Sequence, residues 1–381
     1  MFKIIKKNIS NVGAVISKTK TMSGEELNDT DSVDETKNHT MHLKNTTNSL
    51  TYYKKKPPKK LLNRVLKNNG FKYNNKKYDL YMPYDYTHIE YELKNIDLPD
   101  CKYIFGFIEC NQIIRKNNLW NILEKKYGRY NAKQLMPESF IIKNNKQYKI
   151  ALQKIRDGTA LICKKNLQRK LGLALTFTED DLIKAKNEDY KVAQLFLKNT
   201  MQIQGRKMNM RIYYMIRKYK GNIQFFVNTN GKVLYTKNKT GNNITFDTHI
   251  TSRMDVTLYE KENMPHDFKE LKNYIGEEKY MRIWKKIIDN ITSLSKAIAP
   301  LFNEVKFYNK VCFQLFGMDV IVENDHPYIL EINKGPEMMA KCDKDKILKE
   351  NIYESTFQMA GLLTTRSKPS NYVKVYETNI S

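Results

Sequence analysis

The sequence predicts a mixed α/β fold (α+β), and three stretches carry that reading. Phe313 to Met339 alternates apolar and polar residues with the period of two that a pair of strands requires. Asp267 to about Leu301 repeats its apolar residues at helical spacing (Phe268, Leu271, Ile275, Met281, Trp284, Ile287, Ile288, Ile291, Leu294) and should pack behind that strand pair. Between Ala160 and Leu197, the segments ALICK, LALTF and YKVAQLFL have the length and composition of short strands.

A chain of 381 residues is long enough for two or three lobes with their own cores. A hydrophobic content of 41% with 11% aromatics argues for a folded protein. The cysteines Cys101, Cys110, Cys163, Cys312 and Cys342 are odd in number and scattered, so neither a disulfide framework nor a cysteine zinc site is expected. A reducing, cytoplasmic compartment is the expectation. The six histidines are equally dispersed, which argues against a zinc hydrolase. No apolar run reaches the roughly 18 residues of a transmembrane helix. The net charge of +25 implies attraction to a polyanion: nucleic acid, an anionic membrane or an acidic protein segment. AT-rich codons, which favour Lys, Asn, Ile and Tyr, would produce the same excess without any such partner.

In chain order, residues 1–60 read as a basic, polar tail. Phe2, Ile5, Ile9, Val12 and Ile16 recur at helical spacing beside lysines as a weak basic amphipathic helix, a membrane-surface or organelle-targeting segment, and Ser23 to Thr51 is polar and aperiodic, as a disordered stretch is. Lys54 to Lys60, KKKPPKK, reads as a solvated linker, a localisation signal or an anion-binding arm. Residues 61–158 form an expected N-terminal domain. It holds a short helix with Leu62, Val65 and Leu66 ended by Gly70, a strand from Cys101 to Cys110, a helix ended by Gly128, and LMPESFII. Residues 159–225 form a central lobe, in which a basic turn from Lys165 to Gly172 joins two strands and Thr178 with Asp181 caps a helix. Lys207, Asn209 and Arg211 alternate with Met208, Met210 and Ile212, giving one cationic face and one core face. Residues 226–365 form a C-terminal lobe. Its Asn230-Gly231 is a type I′ hairpin signal between QFFVN and KVLYT, and its last helix runs from Lys346 to about Leu362. Residues 366–381 read as a loose tail.

In the strand pair, Phe316, Met318, Val320 and Val322 share an apolar face with Tyr328, Leu330 and Ile332. Asp319, Glu331 and Asn333 occupy the other face. A two-residue turn would oppose Asp319 to Leu330, so a three-residue turn, Asn324-Asp325-His326, is expected, opposing Asp319 to Glu331. Two opposed carboxylates repel unless something positive lies between them. Mg2+ typically uses one or two carboxylates together with substrate phosphates. The bland alternative is a hairpin with one solvated polar side.

LFGMDVIV followed by YILEINKGPEM resembles the closing metal-binding segment of the tubulin–tyrosine ligase-like family, a branch of the ATP-grasp ligases. The resemblance spans roughly Tyr103 to Leu362. It implies an ATP-grasp fold with nucleotide held between the central and C-terminal lobes, and ATP with Mg2+ (two ions) as cofactors. Asp319, Glu331 and Asn333 match the family's metal ligands. Lys334 stands where the family has a small residue. Lys116, ahead of LMPESF, matches a lysine that reaches ATP; Lys164 matches the strand lysine near the α-phosphate, and Lys170 the loop lysine. Gln194, Leu195 and Leu197 fall in the segment whose main chain bonds adenine. Lys207, Asn209 and Arg211 match a K-x-D-x-R strand facing the phosphates and the acceptor, with an amide at the middle position. His249-Ile250-Thr251-Ser252 matches H-L-T-N, and Tyr235 aligns with an arginine that follows the Asn-Gly turn.

The activity implied is ATP-dependent ligation of an amino acid to an acidic protein tail, of tubulin or similar, through an acyl phosphate. Arg211, with Lys207 and Thr251 beside it, would position the acceptor carboxylate. The departures at Asn209, Tyr235 and Ser252 support a rival: a degenerate scaffold that binds a polyanion such as nucleic acid and does not ligate. Against that rival, no aromatic stripe of the kind that stacks bases accompanies the basic runs.

Overall fold

The computed structural model describes residues 49–98, 101–167, 172–241, 243–251, 256–363 and 370–380. Lys170, Ser252 and the amphipathic N-terminal stretch lie outside them. Fifteen strands occur among the described residues: β1 (Thr51–Lys54), β2 (Lys72–Tyr73), β3 (Leu80–Met82), β4 (Tyr103–Phe105), β5 (Ser139–Ile141), β6 (Leu161–Lys164), β7 (Leu173–Thr176), β8 (Val192–Leu195), β9 (Gln202–Ile203), β10 (Arg206–Tyr219), β11 (Asn222–Asn228), β12 (Lys232–Tyr235), β13 (Val311–Glu323), β14 (His326–Asn333) and β15 (Tyr372–Asn379). Strands β5 to β8 form a small antiparallel sheet in the order β5-β8-β6-β7. The other eleven form one large sheet in the order β15-β11-β10-β13-β4-β3-β1-β2, with β9 and β12 also on β10 and β14 on β13.

The long strands β10 and β13 are the spine, and their alternation decides what each face does. Met208, Met210, Ile212, Tyr214 and Ile216 on β10, with Phe316, Met318, Val320 and Val322 on β13, are buried in the main core. The helix Glu277–Ile298 covers that face with Ile283, Ile287, Ile291 and Leu294. The opposite face changes character along its length. Tyr213 and Met215 on β10, with Phe313 and Leu315 on β13, enter a second core closed by the helices Lys60–Asn68 and Asp343–Ala360. Beyond Arg211 and Gly317, no helix of that core covers the face, and it becomes the floor of a cleft. The small sheet carries a core of its own, which includes Phe140, Leu161, Leu182 and Ala193.

Several sequence expectations hold locally. Thr178 and Asp181 form a capping box at the helix Glu179–Asn187. Gly128 does break its helix, with φ of 73°, but the chain re-enters helix and runs on to Leu135. The expected helix from Asp267 is two helices, Phe268–Ile275 and Glu277–Ile298, parted by Gly276 at φ of 87°. The strand expected from Cys101 to Cys110 is confined to β4, and Cys110 starts a short helix. Both presumed tails contain ordered strands. Tyr52 on β1 is buried, and β15 pairs with β11 along its full length. The segment expected as a separate N-terminal domain contributes β3 and β4 to the large sheet, parallel to each other, with β4 parallel to β13. No helix among the described residues is long and apolar enough to cross a membrane.

The Asn-Gly hairpin does not form. Strands β11 and β12 both pair with β10 and lie end to end along it, at Tyr214–Tyr219 and Met208–Arg211 respectively. Asn230 instead anchors the helix Phe268–Ile275, its Oδ1 accepting from the Phe268 amide at 3.1 Å. A Cβ at Gly231 would sit 2.4 Å from the Phe268 ring and 2.5 Å from the Arg211 carbonyl oxygen. This glycine serves close packing and does not make a turn. Gly231→Ala is expected to destabilise the protein by about 1–3 kcal/mol through overpacking, read as a lower urea midpoint at unchanged slope. An unchanged midpoint would show that the helix can retreat at no cost.

Candidate functional site

Four adjacent strands place charged residues in one row across the cleft floor. Arg211 on β10 lies opposite Lys232 on β12 at one side and opposite Asp319 on β13 at the other, and Asp319 lies opposite Glu331 on β14. Directly opposed residues share a face, so the row reads lysine, arginine, aspartate, glutamate. Cations stand at one end and carboxylates at the other.

The Asp319–Glu331 pairing is the one expected from the sequence, but it arises differently. Asn324 and Asp325 both have positive φ, 51° and 57°, and Glu323 pairs with His326. That is a two-residue hairpin turn, not the three-residue turn expected. A bulge beside Asp319 then admits Leu330 as an extra residue and restores the pairing with Glu331. On the turn side of the bulge, Pro327 and Ile329 take the buried positions. Tyr328 and Leu330, expected in the core, are only half-buried, and Leu330 lines the cleft next to Glu331.

The side chains converge. Arg211 grips Asp319 with two bonds, from Nε to Oδ1 and from Nη2 to Oδ2, the latter at 3.0 Å. Lys116 Nζ, at the start of the helix Lys116–Leu135, lies 3.2 Å from Glu331 Oε2. Asn333 Nδ2 donates to Glu331 Oε1 at 3.2 Å and reaches Asp319 Oδ2 at 3.4 Å. Burial raises the Asp319 carboxyl above its ordinary value against the pull of Arg211. Burial pushes Glu331 the same way, but Lys116 and Lys164 outweigh it and hold that carboxyl low. Among the described residues, no three His, Cys, Asp or Glu side chains gather to hold a metal on their own. The site offers two carboxylates and an amide, an all-oxygen set that suits a hard cation finishing its shell with water and phosphate. Turning the Asn333 amide would present its oxygen.

The small sheet forms the facing wall. Lys164 on β6 is buried and donates to Gln194 Oε1 at 2.6 Å, and burial pushes its pKa down to about 8. Gln194 thus acts through its side chain, which is also tied to Ser139 Oγ at 2.9 Å. The Leu195 and Phe196 amides already donate to Glu138 O and Ala160 O. Lys207 reaches this segment as well, donating to Lys198 O at 2.8 Å and Leu197 O at 3.3 Å, and burial lowers its pKa to about 8. Asn209 donates to Thr251 Oγ1 at 3.0 Å, while its Oδ1 is buried in the cleft without a partner. That orphaned oxygen is an acceptor for a hydroxyl or an ammonium group. The walls enclose a cavity of about 1030 Å³.

Four features were missed or misplaced by the sequence reading. Tyr235, opposite Met208, points away from the cleft and donates to Pro265 O; the cleft-facing residue there is Leu234, opposite Asn209. Lys334 turns away from the carboxylates and donates to Asn111 Oδ1 at 2.7 Å and Thr87 O at 3.1 Å. The basic run places Lys54, Lys56 and Lys59 along the cleft lining, with Lys54 donating to Tyr84 O at 2.8 Å. Lys232 is held with Lys349 around the fully buried Asp345, at 2.7 and 2.9 Å. Only the lone lysine in the apolar segment KVLYT hinted at this last cluster.

A family model described as the tubulin-tyrosine ligase family matches residues 94–369. The chain belongs to the tubulin-tyrosine ligase family. Its mixed α/β architecture is of the ATP-grasp type that goes with this family. Among curated members, the chain is 22% identical over 185 residues to "Probable tubulin polyglutamylase TTLL9" of Rattus norvegicus, covering 46% of this chain and 39% of the relative. It is 22% identical over 276 residues to the tubulin monoglutamylase TTLL4 of Mus musculus, covering 66% of this chain and 23% of the relative. It is 22% identical over 286 residues to the tubulin polyglutamylase ttll-4 of Caenorhabditis elegans, covering 70% and 46%. The chain therefore spans less than half the length of each of these relatives. Residues 49–93, which bring the basic run to the tubulin-tyrosine ligase cleft, precede the family-matched segment.

Proposed function

We propose that this protein is an ATP-dependent carboxylate–amine ligase that adds an amino acid to an acidic protein segment, a tubulin tail being the first candidate. The observation that carries the reading is the charged row, which sets carboxylates beside the lysine-lined wall and cations on the far side. In this reading Lys116 and Lys164 hold the phosphates of ATP, and Asn209 Oδ1 takes a ribose hydroxyl or the incoming ammonium group. Asp319, Glu331 and Asn333 would hold Mg2+, which supplies charge neutralisation at the phosphates. An oxygen of the acceptor carboxylate attacks the γ-phosphorus, the bond to the β–γ bridging oxygen breaks, and ADP leaves. The amine of the incoming amino acid then attacks the acyl carbon, expels inorganic phosphate, and releases a proton to solvent as the amide forms. Arg211 stands next to Asp319 at the point where the acceptor carboxylate must arrive. Its two bonds to Asp319 make it a rigid neighbour for that carboxylate.

Three of the relatives above are named as tubulin glutamylases, so glutamate is the first amino acid to test. Lysines at the cleft lining would guide an acidic chain inward over a Debye length of about 8 Å. The test is incubation with ATP, Mg2+, labelled glutamate, glycine or tyrosine, and either tubulin or a poly-glutamate peptide. The expected result is ATP-dependent label transfer. Reversing charge at Lys56 and Lys59 to glutamate should raise KM for the peptide about fivefold or more and leave KM for ATP unchanged, because these exposed lysines act at long range. Absence of transfer, together with tighter binding of a single-stranded oligonucleotide than of the peptide at physiological salt, indifferent to Arg211→Ala, would favour the polyanion-binding scaffold instead.

A further inference from the structure

Asn333 is the last residue of β14, and its pairing with Gly317 ends the ladder with β13. Its own side-chain contacts are long, 3.2 Å to Glu331 Oε1 and 3.4 Å to Asp319 Oδ2. The two residues that follow are held from three directions. Gln314, fully buried on β13, donates from Nε2 to Lys334 O at 3.0 Å, and its Oε1 accepts the Phe107 amide at 3.2 Å. Lys334 is 4% exposed, and its ammonium group donates to Asn111 Oδ1 at 2.7 Å and to Thr87 O at 3.1 Å. The Asn111 amide donates in turn to Glu90 Oε1. At Gly335 the Tyr86 ring lies so close that a Cβ would sit 2.3 Å from it. Both acceptors of Lys334 are uncharged, and burying an ammonium group against uncharged partners is costly. An apolar residue would fill the same space without that cost.

We infer that Lys334 is a positioning residue: its bonds to Asn111 and Thr87 lock the chain where it leaves β14, and so fix Asn333 beside Asp319 and Glu331 for a divalent cation. The inference rests on the metal-dependent ligase reading. Lys334 itself does not line the cleft, whereas Asn333 and Gly335 on either side of it do. Asn333 has to turn its amide to present the oxygen. That turn delivers the oxygen to one place only if the main chain beneath it stays still, which is how groups behind a ligand set its affinity for a metal. The anchor also has an origin. Tyr86, Thr87 and Glu90 precede the segment matched by the family model, which starts at residue 94. The candidate metal site of this chain therefore leans on residues outside the part shared with its family.

The test is calorimetric binding of ADP to the full chain, first in EDTA and then across a range of Mg2+. Wild type should bind ADP more tightly as Mg2+ rises. Lys334→Met keeps the reach of the side chain and removes its bonds. It should raise the Mg2+ concentration for half the effect about tenfold and leave ADP affinity in EDTA unchanged. Asn111→Ala removes one of the two acceptors and should shift the Mg2+ requirement the same way by less. The double variant should match Lys334→Met. Lys218→Met is the control for a purely structural lysine. Lys218 is also buried, donates to Phe302 O at 2.5 Å and Glu304 O at 2.8 Å, and lies outside the cleft lining. Its loss should lower the melting temperature and leave the Mg2+ requirement unmoved. Should Lys334→Met fail to fold, Asn111→Ala against Lys218→Met decides. An unchanged Mg2+ requirement in the Lys334 and Asn111 variants, an equal loss of ADP affinity in EDTA, or an equal shift in Lys218→Met would overturn the inference and leave the ligase reading standing. ADP binding by wild type that ignores Mg2+ would overturn both.

Discussion

Glu331→Gln is expected to lower ATP-dependent transfer by about 10²-fold or more while shifting the melting temperature by no more than a few degrees. The two halves of this expectation have separate causes. Glu331 contributes no apolar surface to either core; it faces the cleft, paired with Lys116 and bonded by Asn333. Replacing one of two opposed carboxylates by an isosteric amide removes a like-charge repulsion and one ion pair together, and these changes offset. On the ligase reading proposed above, catalysis would have no such compensation, because an amide would hold a divalent cation and its phosphates less strongly than a carboxylate. Activity and a thermal melt on the same preparation decide the matter. Retained transfer would remove Glu331 from the machinery, and unfolding would make it a structural residue.

Asp345→Asn is expected to do the reverse, striking stability hardest. Asp345 is fully buried, and burial alone would raise its carboxyl, but Lys232 and Lys349 outweigh that and hold it low. It also accepts the Lys341 amide at 3.0 Å, ordering the entry to the helix Asp343–Ala360. An amide in its place removes the buried carboxylate that Lys232 and Lys349 share. Breaking a buried pair of this kind costs about 3–5 kcal/mol, which should lower the melting temperature by roughly 5–10 °C. Lys232→Met, which leaves Asp345 paired with Lys349, should cost far less. Equal losses for the two variants would show that Asp345 does not hold both lysines.

Alternation along Phe313–Met339 made the shared face of Asp319, Glu331 and Asn333 legible, because that pairing depends only on period two. The bulge at Leu330 was not legible, since a two-residue turn plus a bulge and a three-residue turn give the same pairing at Asp319. Lys207, Asn209 and Arg211 could be read as one face for the same reason. What they face could not, because Lys232, Asp319 and Glu331 come from three other strands. Asn230-Gly231 carried a true glycine requirement, but short-range preference does not say whether a glycine serves a turn or a ring pressed against it. The basic run and the C-terminal stretch read as tails because β1 and β15 are stabilised by partners distant in sequence.

Strand β15 begins three residues past the family-matched segment, which ends at 369. It covers the free side of β11, NIQFFVN, a run in which Phe225 and Phe226 are buried. A version trimmed to the matched boundaries would lay bare the main-chain donors and acceptors of that run. Such a segment recruits other chains by edge-to-edge pairing. In the full chain the outermost strand instead carries Lys374 and Glu377, paired with each other, and charge at the rim disfavours that recruitment. Whether the protein stays dispersed at high concentration thus depends on residues 372–379, none of which lines the cleft.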